Sequence, residues 1–106
     1  MQEHMIHLNS IKKFIKNKNV RFLIAKIDDP TEHGFCLVSK DKTLETIIIL
    51  DPEKEFLATL IHECLHGIYN DYSESRILKI ESQIVKKLSS AQFKNLLLHF
   101  GKHAKV

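Results

Sequence analysis

The sequence predicts an α+β domain in which one helix, three short strands and three further helices follow in that order. Three observations carry this. Apolar residues recur at helical spacing near the N-terminus, β-branched and aromatic residues gather between Val20 and Leu50, and a helical period with clear start signals returns after Asp51. At 106 residues, 43% hydrophobic and 27% charged, the chain is sized for one domain, 1–106, around one core.

Leu8, Ile11, Phe14 and Ile15 fall at the spacing of one helix face, so a helix is expected from Leu8 to about Asn17. Val20 to Ile27 reads as a strand, broken by Asp28-Asp29-Pro30. Gly34 to Val38 is a second strand. A turn at Ser39-Lys40-Asp41-Lys42 leads to a third, Leu44 to Leu50. Short polar turns between them favour a three-stranded, mainly antiparallel sheet. Asp51-Pro52 offers an N-cap and a first-turn proline for a helix running to about Tyr69. Ser73 or Ser75 caps the next, which ends near Leu88. Ser89 or Ser90 opens the last, which Gly101 closes after Phe100.

A formal charge of +3 is too mild to mark a nucleic-acid-binding protein, and the lysines at 12, 13, 16 and 18 read as a solvated helix face. The longest apolar run, Ile47 to Leu50, is far short of the roughly 20 residues that span a bilayer, and no signal peptide is visible at the N-terminus. Two cysteines, Cys36 and Cys64, do not make a disulfide framework. A reducing, cytoplasmic location is therefore expected.

The chemistry concentrates in His62-Glu63-Cys64-Leu65-His66, an H-E-x-x-H sequence. On a helix, residues four apart share a face, so two imidazoles can converge on one Zn²⁺ at about 2.0–2.1 Å each. Glu63 then lies beside the ion without ligating it, placed to take a proton from a polarised water. The apolar stretch Phe56 to Ile61 is what a buried helix requires.

A catalytic zinc ordinarily takes three protein ligands. Glu81 interrupts an apolar stripe of Ile77, Ile84 and Leu88, where a carboxylate is costly unless paired or bound to a metal, so it is the expected third ligand. Glu74 is the substitute, although its place at a helix start already has a dipole explanation. Asp71, His99 and His103 are weaker options. Tyr69 and Tyr72 stand where a metzincin needs glycine and histidine, which excludes that subclass.

The run Thr59 to Tyr69, with Glu81 in the following helix, resembles the minimal zincin metallopeptidase domains. These include small phage and prophage proteins and relatives of the peptidases that cleave phage repressors and radiation-response regulators. The resemblance spans roughly Gly34 to Leu88, and only His62 to His66 is specific within it. It implies a short sheet, the motif helix, a helix carrying a glutamate ligand, and one zinc ion. By it His62, His66 and Glu81 are ligands and Glu63 is the general base. The proteases that act on DNA–protein crosslinks are a poorer match, because they take a downstream histidine as third ligand and none lies between His66 and His99.

The expected activity is peptide-bond hydrolysis in a protein or peptide substrate. The Leu44–Leu50 edge would hold that substrate by strand addition, and Tyr69, Tyr72 or His33 is a candidate oxyanion or substrate contact. The competing expectation is a non-catalytic, zinc-stabilised protein-binding module.

Overall fold

The computed structural model describes residues 2–38 and 45–106; the expected turn at Ser39–Lys42 and the strand start at Leu44 lie outside them. The elements are α1 (Glu3–Lys16), β1 (Val20–Ile24), β2 (Gly34–Val38), β3 (Thr46–Leu50), α2 (Phe56–Ile68), α3 (Glu74–Lys87) and α4 (Ser90–His103). Helix α1 starts five residues before the expected Leu8. His4 and His7 continue its buried stripe, and such polar residues are invisible to an apolar count.

The sheet corrects the expected topology. Its order is β1-β3-β2, with β3 parallel to β1 and antiparallel to β2, so it is mixed rather than mainly antiparallel. β3 is therefore the central strand and not a substrate-accepting edge. The reason is burial. Thr46, Ile48 and Leu50 are buried on one face and Ile47 and Ile49 are half-covered on the other, and the most apolar strand takes the position covered on both sides. Among the described residues, β2 is an open edge of the sheet. Along β1, the backbone N–H of Phe22 donates to the carbonyl of Lys105 at 2.8 Å, so the C-terminal segment covers part of that strand.

The helical layer packs on the sheet face formed by Val20, Phe22, Ile48 and Leu50. Leu8, Ile11 and Ile15 from α1, Leu60, Ile61 and Leu65 from α2, and Ile77 and Ile84 from α3 complete the core. Phe100 of α4 meets Phe22 and Phe56 edge-on, at centroid distances of 5.0 and 5.5 Å.

Two helix boundaries differ from expectation. Asp51 does not cap α2. It is 1% exposed, its carboxylate accepts the N–H groups of Ile27 (2.9 Å) and Glu53 (3.0 Å), and its carbonyl accepts the N–H of Lys54. Asp-Pro serves a β-turn as well as a helix start, and the turn wins here because the Asp51 carboxylate is also held by the Ile27 N–H, in the segment after β1. Helix α2 begins only at Phe56, after Glu55 in the left-handed region at φ 45°. Gly101 does not end α4, which continues to His103; the glycine sits on an exposed surface with open space where a Cβ would be. Ser73 does cap α3, accepting from the Arg76 N–H. Ser89 forms a reciprocal capping box with Gln92 at the start of α4. Among the described residues no helix is long and apolar enough to cross a membrane.

Candidate metal centre

Leu60, Ile61, Cys64 and Leu65 are fully buried and fix the roll of α2. His62 and His66 then fall on the adjoining, half-buried stripe, with ring centroids 4.8 Å apart. One ligand atom from each of His62, Glu63 and His66 lies within 4.8 Å of the others, a spacing that suits a metal ion.

Two carboxylates from α3 reach this group. Glu74 places Oε1 2.8 Å from His62 Nε2 and Oε2 2.7 Å from His66 Nε2, so one side chain spans both imidazoles. Glu81 meets the other side of His62, with Oε2 2.9 Å from Nδ1. Glu81 was expected alongside the converging nitrogens, but the structure sets Glu74 there. The two glutamates are two helical turns apart, about 10 Å along the axis, so they cannot approach His62 from the same side. The sequence ranked Glu74 second for this place, because its position in the first turn of α3 already had an explanation.

Glu63 is 6% exposed. Burial pushes its carboxyl above the usual range, His62 and His66 pull it back, and Glu74 and Glu32 add to the rise. The hydrogen bond that His62 donates to the Glu81 carboxylate raises the His62 pKa; burial opposes this, and the charges of Glu81, Glu74 and Glu63 reinforce it. Glu63 is thus a buried carboxyl, shifted upward, beside two imidazoles.

A cavity of about 280 Å³ opens in front of the cluster, between Thr31, His33 and Gly34 on one side and Ala58, His62 and Glu63 on α2. Gly34 makes the close approach possible. A Cβ there would lie 2.8 Å from the Ile49 carbonyl oxygen, 2.8 Å from Thr59 Cγ2 and 3.2 Å from Glu63 Cγ. The loop bearing Thr31 and His33 is tied down by the Lys54 ammonium, which donates to the carbonyls of Ile27 (2.6 Å), Asp29 (2.9 Å) and Glu32 (3.1 Å). The Asp51 carboxylate lies 3.7 Å from the same ammonium.

Of the three side chains considered for the oxyanion or substrate, His33 alone lines this cavity. Tyr69 shares a hydrogen bond with His7 Nδ1 at 3.0 Å and stacks on Tyr72, whose other contact is the Arg76 guanidinium 3.7 Å from its ring centroid. Both tyrosines thus join α1 to α3. His99 donates from Nε2 to the Lys12 carbonyl and packs against His103, which leaves both on the α1 side of α4. Both cysteines are free. Burial pushes the Cys36 thiol up to about 12, with a smaller contribution from Glu63, and holds the Cys64 thiol well above its ordinary value.

The chain is thus a small α+β domain with a His–Glu–His group at metal-binding spacing. No family model, curated protein or solved structure matches it.

Proposed function

We propose that this protein is a zinc metallopeptidase in which His62, His66 and Glu74 hold the ion, Glu81 orients His62, and Glu63 is the general base. The observation that carries the proposal is the Glu74 carboxylate lying within hydrogen-bond distance of both Nε2 atoms at once. Two imidazoles and a carboxylate already converge, and this donor set suits zinc. A carboxylate on the far ring nitrogen of His62 fixes the ring and its tautomer.

When bound, zinc supplies a Lewis acid that polarises the scissile carbonyl and makes water more acidic. Glu63 takes the proton of the attacking water and delivers it to the amine as the C–N bond breaks. Its buried setting raises its carboxyl above the ordinary range, which makes it a stronger base. The substrate, a protein or peptide, pairs with the open edge of β2, whose first residue Gly34 borders Glu63.

Metal analysis and peptide hydrolysis test the assignment together. One zinc per chain is expected in the parent and in Glu63→Gln, with hydrolysis lost in the latter. Glu74→Gln should lose the metal, whereas Glu81→Gln should weaken binding by about 10- to 100-fold. Zinc retained in Glu74→Gln and absent from Glu81→Gln would exchange their roles. If Glu63→Gln keeps full function while removal of zinc unfolds the domain, a zinc-stabilised binding module replaces the peptidase.

A further inference from the structure

We infer that the enzyme selects substrates with a bulky apolar side chain beside the scissile bond, received in a second cavity that adjoins the catalytic one, and that it discriminates against acidic side chains there. The inference rests on the peptidase proposal for its catalytic readout but not for its binding readout.

The second cavity, of about 720 Å³, lies between the start of α2 and the outer face of α3. Glu55, Ala58, Leu78 and Glu81 belong to its wall and to the wall of the cavity in front of His62 and Glu63. The two spaces therefore adjoin across these four residues, so a peptide held at one lies beside the other. The remaining wall is largely apolar, with Phe56 and Leu57 on α2 and Val85 on α3.

Two apolar residues of α3 lie outside its core stripe. Its core stripe is Ile77, Ile80 and Ile84. Leu78, Ser82 and Val85 form a second stripe at i, i+4 and i+7, and Leu78 and Val85 remain 49% and 39% exposed. Apolar groups left in water at the mouth of a catalytic cavity recover that cost when a ligand covers them.

The charge at the junction sets the second half of the selectivity. Glu55 and Glu81 line both cavities, and Glu32 and Glu74 act electrostatically on the Glu63 carboxyl. The chain carries a net charge of +3, yet this rim is acidic. A carboxylate entering there would meet like charge and lose its hydration, whereas a leucine or phenylalanine side chain does neither.

Three blocked hexapeptides, Lys-Gly-Gly-Xaa-Gly-Lys with Xaa leucine, glycine or aspartate, test this with zinc-loaded protein. The leucine peptide should exceed the glycine peptide in kcat/KM by about tenfold or more, with the aspartate peptide slowest. Leu78→Ala should reduce the preference for leucine, and Ser82→Phe, which fills the cavity, should abolish it; zinc content should match the parent in both. In parallel, methyl NMR of zinc-loaded Glu63→Gln should show the Leu78 and Val85 resonances moving with the leucine peptide and not with the other two. Selective methyl shifts without hydrolysis of any peptide by the parent would uphold the apolar site and sink the peptidase proposal. Hydrolysis indifferent to Xaa, or leucine binding that leaves both methyls unmoved, would overturn the inference.

Discussion

Replacing Gly34 by alanine tests how closely the edge strand is pressed onto the motif helix. The added Cβ would stand 2.8 Å from a backbone oxygen, that of Ile49, and 2.8 Å from Thr59 Cγ2, against the 3.4 Å at which ordinary contact begins. The Ile49 oxygen belongs to the central strand and cannot rotate away, so β2 itself must retreat. Overpacking of this kind costs about 1–3 kcal/mol. For a domain of about this size each kcal/mol lowers Tm by roughly 4–8 °C, so a fall of about 4–24 °C is expected in a thermal melt followed by circular dichroism. The third contact, Glu63 Cγ at 3.2 Å, adds a functional signature. If Glu63 is the base, hydrolysis at a temperature where the variant is fully folded should fall while zinc content is retained. An unchanged Tm together with unchanged hydrolysis would show that β2 does not pack on Glu63, and the described cavity would be wrong.

Three further outcomes follow from the same geometry. Lys54→Met removes the donor shared by three carbonyls, which should cost about 1.5–3 kcal/mol in urea titrations and speed hydrogen exchange selectively in residues 27–32. Uniform exchange across the chain would contradict the clamp. The N–H groups of Ile27 and Glu53 hold the Asp51 carboxyl below its ordinary 3.8; its stabilisation is complete above that value and is lost as pH falls through the lower, folded value. Asp51→Asn should therefore flatten the fall of the urea midpoint below about pH 4, and an identical acid slope in the two proteins would refute the role. With Cys36 pushed up to about 12 and Cys64 fully buried, both thiols should react slowly with a disulfide reagent at pH 8 and rapidly in urea. Two rapid equivalents from the native protein would show those positions to be open.

Features encoded by a few neighbouring residues were legible in the sequence. Ser73 and Ser89 announce their helices because a cap is a contact over three residues, and the spacing of His62, Glu63 and His66 needs only one turn of helix to bring them together. Strand order was not legible. The alternation in Thr46 to Leu50 shows that the strand is buried, but nothing local states that it lies between two others. Asp51-Pro52 is ambiguous for a different reason, since a turn and a helix start recruit the same pair, and the deciding contact with Ile27 lies 24 residues away. The anomaly at Glu81 was visible as a charge on an apolar stripe, but its partner, the far nitrogen of His62, was not. Glu74 was visible only as the substitute ligand, because its reach to two imidazoles depends on the angle at which α3 returns across α2.

The two borders of the sheet are treated differently. Along β1 the Lys105 carbonyl occupies the Phe22 amide, and the Lys105 ammonium fastens the tail to the carbonyls of Lys16 and Asn17. Among the described residues β2 has β3 on one side only, and Phe35 and Leu37 project from it as exposed apolar side chains. A border left bare for a guest peptide is equally receptive to a sister molecule, so concentrated solutions should be the conditions under which this protein self-associates. Prolines or inward-pointing charges, the usual protection against such stacking, would here close the groove to the guest as well.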